Sequence, residues 1–214
     1  VIGGGVLGIE IASALSELGL KVTILERSNW LMNRQLDNEA GMILARILED
    51  KGMSVLTAVE TDEILGDQDV RGIRLKNGEE LEAQIVIVAA GVRSNLRLAK
   101  DAGLTVDRGV VVDEHLMTST QDVYAVGDVA QFNGVVYGII APAIEQAKIA
   151  AASIAGEELR YNGTVRLNTL KVVGVFLTSL GDIQAKDNSD IEYSETHDGV
   201  YKKLVLRNGK LVGA

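Results

Sequence analysis

Apolar residues in the first part of the chain recur at spacings that predict a helix followed by a strand. The first apolar stripe has steps of four, four and three residues: Leu7, Ile11, Leu15 and Leu18. This is the spacing of one face of an α-helix, and Gly19 follows it where a left-handed cap is expected. The apolar run of residues 21–26 (KVTILE) then predicts a buried parallel strand.

A second helix is predicted after this strand, and β structure follows it. Asp37 is a typical N-cap, and the helical pattern extends from it to about Asp50. Residues 53–60 (MSVLTAVE) form the next expected strand. Residues 70–88 predict a hairpin with an Asn-Gly pair at its turn, continued by an apolar strand. The order is therefore βαβαβ, ending in a β-meander.

The second half of the chain alternates between expected strands and one helix of small residues. A connector with a short helix is expected at 93–103, and strands are expected at 109–117 and 121–128. Pro142, the only proline, predicts a helix start, because its missing N–H would have no helical partner in the first turn. Strand-like sequence resumes near Leu159 and includes a second Asn-Gly turn.

The composition is that of a globular protein without cysteine chemistry. Hydrophobic residues make up 47% of the 214 residues and charged residues 24%, and the net charge of −9 is opposite to that of a nucleic-acid-binding surface. No apolar run approaches the ~20 residues that cross a bilayer, so we expect a cytoplasmic protein with neither nucleic acid nor membrane as partner. With no cysteine and two separated histidines, a metal site is not expected, and redox chemistry would depend on a bound organic cofactor.

The glycines near the start of the chain have the spacing of a dinucleotide-binding turn. Gly3, Gly5 and Gly8 lie between a strand and a helix, which is where a pyrophosphate binds to backbone N–H groups and the helix dipole. Glu26 ends the next strand, close to the ~20-residue separation expected for an acid that binds a ribose hydroxyl. The alternative is a βαβ unit of the same shape that binds no ligand.

Glu26 also bears on the choice of nicotinamide cofactor. A carboxylate accepts a hydrogen bond from a free 2′-hydroxyl and repels a 2′-phosphate, so NADH is expected rather than NADPH. Arg27 and Arg34 leave NADPH open, since a guanidinium can pair with the phosphate, but both can equally be solvated loop charges. From its position alone, Glu10 is a favourable charge near a helix N-terminus.

Residues 118–128 (TSTQDVYAVGD) place Gly127 and Asp128 at the expected end of a strand, where open α/β sheets bind ligands. Taken alone, a Gly-Asp pair is also typical of an ordinary turn at the end of a strand. Together with residues 1–27, however, the segment resembles the FAD- and NAD(P)H-dependent pyridine nucleotide-disulfide oxidoreductase superfamily, whose second FAD motif reads T-x4-V-Y-A-x-G-D. The resemblance covers essentially the whole chain. Residues 31–55 are most similar to the flavoprotein part of NADH-dependent nitrite reductases, and residues 170–182 resemble the same proteins and NADH:rubredoxin oxidoreductases.

The resemblance implies an α/β fold of three parts. It predicts a Rossmann-like NAD(P)-binding domain (a parallel sheet plus β-meander) at 1–91. The C-terminal segment of an FAD-binding domain follows at 92–158, and residues 159–214 form the start of an incomplete α+β interface domain. In that family the NAD domain is inserted into the FAD domain, so we expect a fragment that lacks the N-terminal FAD-binding piece and is by itself inactive.

The resemblance also assigns roles to individual residues. The backbone around Val6 and Leu7 would join the three motif glycines at the pyrophosphate, and Glu10 would lie near the nicotinamide. Ala90 and Gly91 would let the nicotinamide end of NAD approach, while Gly127 and Asp128 would bind the ribitol of FAD. The family's loop has proline where this chain has Ser94, so a less rigid loop is expected. A helix starting near Ala141 would direct its N-terminus at the flavin.

The implied function is hydride transfer from NADH to FAD, followed by electron transfer to an acceptor. A redox acceptor protein or fused redox domain is the expected partner, and rubredoxin, a nitrite-reducing centre, oxygen and a disulfide all remain open as acceptors. Homodimerisation also remains open. The alternatives are an NADH oxidase or disulfide reductase of the same superfamily, or a nucleotide-binding module without catalysis. The absence of cysteine argues against the thioredoxin-reductase type.

Overall fold

The computed structural model describes residues 1–172 and 174–214. Four helices lie within these residues: α1 (Val6–Glu17), α2 (Asn38–Asp50), α3 (Arg97–Asp101) and α4 (Ile140–Ile154). The strands of the first 132 residues are β1 (Thr23–Leu25), β2 (Ser54–Leu56), β3 (Thr61–Leu65), β4 (Gly72–Leu75), β5 (Glu80–Glu82), β6 (Val110–Val112) and β7 (Ala130–Phe132). Those that follow are β8 (Leu167–Val172), β9 (Val175–Leu180), β10 (Ile191–His197), β11 (Val200–Arg207) and β12 (Lys210–Gly213).

The chain divides into two compact units, one of residues 1–91 with 167–214 and one of residues 92–166. A parallel layer organises the first unit. β1 pairs with β2, and Ile2 forms parallel bridges to Leu25 on one side and Val88 on the other. The segment that precedes the glycine motif is therefore central in this layer, and the expected βαβ arrangement is confirmed.

Two helices accompany this layer, and the sequence correctly predicts the end of α1 and the start of α2. Gly19 has a φ of +82°, and Asp37 is the N-cap of α2, accepting a hydrogen bond from the N–H of Ala40 at 3.0 Å. The core of the unit joins α1, α2 and the strands, and it includes the following buried residues: Ile9, Ala12, Ile24, Leu31, Leu44, Leu48 and Leu170. Leu170 belongs to β8, so the C-terminal segment packs on the same core.

The meander is formed by β3, β4 and β5 in antiparallel order, with the predicted Asn-Gly pair between β4 and β5. The periodicity did not predict β3, because its sequence TDEIL has no clear alternation and its three central positions are all exposed. The apolar segment after β5 pairs with the first residues of the chain: the N–H of Ile2 donates to Ile87 and the N–H of Ala89 donates to Ile2, both at 2.8 Å.

The regular elements of the C-terminal segment are all strands within the described residues. β8 and β9 form an antiparallel pair, and β10, β11 and β12 form an antiparallel sheet. The second Asn-Gly turn joins β11 to β12, and Asn208 and Gly209 both have positive φ, as a tight hairpin turn requires. Val173, which falls in the stretch predicted to be strand-like, lies outside the described residues.

The second unit has a small parallel pair, β6 with β7, packed with α4. Its core includes Tyr161, whose ring lies 5.0 Å from that of Phe132 and 6.2 Å from that of Tyr137. The strand expected over 121–128 was wrong. Positive φ at Asp122 (63°) and Gly127 (77°) interrupts the extended chain, so β7 begins only after a 3₁₀ turn at Gly127–Val129. Across residues 1–172 and 174–214, no helix is long and apolar enough to cross a membrane.

Candidate functional site

The three motif glycines lie in different surroundings, and they differ in the space available for a side chain. Gly3 has a φ of +114°, and a Cβ added there would collide with the carbonyl oxygen of Ala89. A Cβ on Gly8 would collide with the carbonyl oxygen of Gly3, so the helix and the turn are in backbone contact. A Cβ on Gly5 would have no atom of the described residues within 4 Å. Gly5 therefore borders open space, and a ligand can approach its backbone.

The start of α1 has the features of an anion site. Gly5 is its N-cap, and within the described part of the chain no side chain caps this end and no acidic residue lies in its first turn. The first N–H groups of a helix have no partner inside the helix, and the helix dipole places partial positive charge there. Val6 is half-buried and Leu7 is 57% exposed, so the predicted backbone cradle reaches the surface.

Glu26 is held rigidly beside this turn. It is 9% exposed, its Oε2 accepts the N–H of Gly4 at 2.8 Å, and its Oε1 accepts the N–H of Ser28 at 2.7 Å. Each carboxylate oxygen can accept a second hydrogen bond, so both can still bind a sugar hydroxyl. Sequence reasoning predicted Glu26 as a ribose ligand but not its contact with Gly4, which depends on two strands lying side by side.

The structure brings some of the other predicted NAD residues to this turn. The backbone N of Ala90 lies 3.2 Å from the position of a Cβ on Gly3, so residues 89–91 border the glycine motif. Gly91 has a φ of +103° and open space around it. Glu10, Arg27 and Arg34 are exposed, and within residues 1–172 and 174–214 their side chains form no hydrogen bond or ion pair with the glycine turn. Their roles stay predictions.

In the second unit, Gly127 and Asp128 lie on the 3₁₀ turn before β7. The N–H of Gly127 donates to Oε1 of Gln146 in α4 at 2.7 Å. The carbonyl oxygen of Asp128 accepts a hydrogen bond from Oγ of Ser94 at 2.6 Å, and the Asp128 side chain is exposed. Sequence reasoning missed both contacts. The available signal was Gln146 itself, a polar residue on the buried stripe that α4 shares with Pro142 and Ala150.

The first residues of α4 present a second helix N-terminus near this turn. Ile139 is the N-cap, and in the described residues no side chain caps the helix and no acid lies in its first turn. Ile140 is 78% exposed. A Cβ on Gly127 would lie 3.6 Å from the Cβ of Ala143, so α4 and the 3₁₀ turn are in close contact. Backbone N–H groups and an exposed carboxylate thus lie in one compact unit.

Comparison with known proteins identifies the family. Residues 1–156 match the family model described as pyridine nucleotide-disulphide oxidoreductase. The chain belongs to this family. Residues 167–214 match the rubredoxin NAD+ reductase C-terminal domain. Members of the family depend on FAD and NAD(H), so the expected family, fold class and cofactors are confirmed at this level.

Individual relatives agree with this assignment. The chain is 42% identical to the nitrite reductase (NAD(P)H) of Bacillus subtilis, covering 100% of this chain and 27% of that protein. It is 32% identical to the NADH-rubredoxin oxidoreductase of Clostridium acetobutylicum, covering 100% and 53%. The crystal structure of NADH:rubredoxin oxidoreductase from that organism matches with a TM-score of 0.77 over 99% of this chain and 52% of that one. The chain therefore spans about a quarter to a half of the length of these relatives.

The residues present fit both cofactors of the family. The open space at Gly5, the α1 N-terminus without a side-chain cap and the adjacent Glu26 suit a pyrophosphate joined to a sugar. In the second unit, the exposed carboxylate of Asp128 and the N-terminus of α4 suit a group that has both hydroxyls and anionic charge.

Proposed function

We propose that this chain contributes NADH-binding and FAD-binding parts to an oxidoreductase that passes hydride from NADH to FAD and electrons onward to an acceptor. In this proposal residues 1–91 bind NAD(P), residues 92–158 belong to the FAD-binding domain, and residues 159–214 begin the interface domain. Bound FAD supplies the ring that accepts the hydride and releases electrons. The part of this chain is to bind and orient the two cofactors.

The observation that carries the proposal is the contrast among the three glycines. Gly3 and Gly8 are needed by the protein's own packing, but nothing within the described residues fills the space beside Gly5. A structural βαβ unit has no need of a glycine there, whereas a pyrophosphate does. The dinucleotide assignment is therefore supported by geometry as well as by spacing.

Glu26 orients the adenosine end of NADH in this proposal. Its two backbone contacts fix the carboxylate before the ligand arrives, so less conformational freedom is lost on binding. The same fixed negative charge repels a 2′-phosphate. Arg27 is exposed on the next position and is the residue that would favour NADPH if the charge of Glu26 were absent.

The acceptor is proposed from the relatives. The match of residues 167–214 to a rubredoxin reductase domain, and the nitrite reductases among the relatives, favour a small redox protein or a fused nitrite-reducing centre. This chain has a formal net charge of −9, so electrostatic steering would favour a partner with a basic contact face.

Replacing Glu26 by glutamine tests the proposed function. We expect NADH affinity to fall about tenfold and NADPH affinity to stay equal or rise, because the charge-assisted hydrogen bond is lost and the repulsion of a 2′-phosphate is removed. Nucleotide fluorescence titrations measure both. The glutamine oxygen can accept the N–H of Gly4, but the –NH2 group then replaces the oxygen that accepts the N–H of Ser28. A melting curve must therefore show that Glu26→Gln is folded like the wild type before the affinities are compared. A wild-type protein that prefers NADPH, or that binds neither nucleotide, would contradict the proposal.

A further inference from the structure

The turn at Gly127–Asp128 is held from two sides by side chains that belong to no cofactor motif. Gln146 is 1% exposed, and its Oε1 accepts the N–H of Gly127 at 2.7 Å. The hydroxyl of Ser94 donates to the carbonyl oxygen of Asp128 at 2.6 Å. All four residues lie in the compact unit of residues 92–166.

Gln146 needs an explanation because it is a buried amide on a helix face that otherwise presents apolar residues, with the Tyr161 hydroxyl as a polar neighbour. It lies on the buried face of α4 with Pro142 and Ala150. A buried amide costs free energy unless its polar atoms have partners, and alanine or leucine would suit this face better for packing alone. The partner is a backbone N–H on a different element, 19 residues away in sequence. The side chain therefore connects α4 to the turn.

The turn itself needs support. Gly127 has a φ of +77°, a left-handed conformation, and the 3₁₀ turn that it begins is three residues long. Short 3₁₀ turns have weaker hydrogen-bond geometry than α-helices. Without outside contacts the direction of the exposed Asp128 carboxylate would vary.

Ser94 supplies the second contact from a loop. Its hydroxyl bonds to a residue 34 positions away, which fixes the peptide on the far side of Asp128 from the bond made by Gln146. A proline at position 94 has no hydroxyl and could not make this contact. The loop that was expected to be less rigid is thus tied to the turn by the residue that replaces proline.

We infer that Gln146 and Ser94 are positioning residues that clamp the Gly127–Asp128 turn and direct the Asp128 carboxylate toward the sugar-alcohol chain of the flavin cofactor. This inference rests on the proposed function, in which Asp128 binds FAD. Gln146 fixes the peptide before Gly127 and Ser94 fixes the peptide after Asp128, so the backbone of the two-residue turn is held at both ends and the Asp128 side chain has one preferred direction. Removing either bond would let the Asp128 carboxylate adopt more orientations. FAD binding would weaken, although no group that touches FAD had been removed.

The test uses the full-length protein, prepared with FAD and then stripped of it for titration, and variants made in pairs. Ser94→Ala removes the hydroxyl and Ser94→Thr retains it. Gln146→Met removes the hydrogen-bonding atoms at similar volume, and Gln146→Glu retains an acceptor for Gly127. We expect the dissociation constant for FAD, measured by flavin fluorescence on stripped protein, to rise about five- to tenfold in Ser94→Ala and Gln146→Met. Ser94→Thr should restore it.

Two further readouts separate positioning from general destabilisation. Amide hydrogen exchange over residues 124–130 should speed up in Ser94→Ala and Gln146→Met, while the KM for NADH and the melting temperature of the Ser94→Ala apoprotein stay at wild-type values. Because Ser94 is only half-buried, its alanine variant is expected to fold even if Gln146→Met does not. Unchanged FAD affinity in Ser94→Ala and in a folded Gln146→Met would overturn the clamp.

Asp128→Asn distinguishes this failure from failure of the proposed function. It removes the carboxylate charge and leaves the backbone carbonyl that Ser94 contacts. If Asp128→Asn binds FAD like the wild type, the proposal that Asp128 binds FAD is refuted, and the proposed purpose of the clamp is refuted with it. If Asp128→Asn weakens FAD binding and the clamp variants do not, the proposed function stands and the clamp alone is refuted.

Discussion

Gly8→Ala is expected to lower the free energy of unfolding of residues 1–214 by about 3 kcal/mol and to prevent NADH binding, because its Cβ would collide with the carbonyl oxygen of Gly3. That oxygen is backbone and cannot move without shifting the turn between the first strand segment and α1. The measurement is urea unfolding followed by the fluorescence of Trp30, the only tryptophan in the sequence, whose Nε1 donates to Leu36 in the same unit at 2.9 Å.

Gly5→Ala is the matched control for this prediction. Gly5 has a φ of −83°, which alanine adopts readily, and its Cβ would enter open space. We therefore expect unfolding within about 0.5 kcal/mol of the wild type. NADH affinity should nevertheless fall at least tenfold, because the added methyl group would occupy the place proposed for the pyrophosphate. Equal NADH binding by Gly5→Ala and the wild type would refute the cradle even if Gly8→Ala unfolds.

Asp37→Ala is expected to destabilise the same unit by about 3 kcal/mol, because three contacts of its carboxylate are lost together. The carboxylate caps α2 and accepts hydrogen bonds from the Tyr201 hydroxyl at 2.5 Å and the Lys203 ammonium at 2.9 Å. The Lys203 side chain is only 12% exposed and also pairs with Glu192 at 3.2 Å. Removing Asp37 would leave this nearly buried ammonium with Glu192 as its one charged partner in the described part of the chain.

Asp37→Asn separates the cap from the charge. Asparagine caps helices about as well as aspartate, but its –NH2 group replaces the oxygen that accepts from Tyr201 and Lys203. This variant should therefore keep the cap, lose those two contacts and be destabilised by about 1–2 kcal/mol. Both variants are measured by urea unfolding at pH 7. If Asp37→Asn were as unstable as Asp37→Ala, the charge would dominate and the cap would contribute little; if both were as stable as the wild type, the contact between α2 and the C-terminal sheet would be unimportant for folding.

The pH dependence of this difference follows from the pKa of Asp37. Burial alone would raise the pKa of its carboxyl, but hydrogen bonds from Tyr201, Ala40 and Lys203 outweigh burial and hold the pKa below the ordinary 3.8. A group whose pKa is lower in the folded state stabilises the fold above its unfolded pKa and loses that contribution as pH falls through the folded value. The stability gap between wild type and Asp37→Asn should therefore be constant above about pH 5 and shrink below pH 3.8. A gap that widens on acidification would contradict this assignment.

Sequence periodicity and local chemistry predicted the elements whose causes are local. The stripe from Leu7 to Leu18 predicted α1, Asp37 predicted the start of α2, and the glycine spacing predicted the turn before α1. Each depends on residues within one or two turns of one another. The strand predicted over 121–128 was wrong because only local preferences were considered. The apolar and β-branched residues there favour a strand, but positive φ at Asp122 and Gly127 interrupts it.

The sequence by itself determined the family, the βαβ unit with its glycine turn, and the residue types offered to a dinucleotide, since backbone sterics and helix spacing act over short distances. Only the tertiary structure decided which glycine borders open space and which side chains support the two turns. The hydrogen bonds from Gly4 to Glu26, from Gly127 to Gln146 and from Lys203 to Asp37 join residues 22, 19 and 166 positions apart. Such contacts depend on how strands and helices pack, and no local pattern encodes that packing.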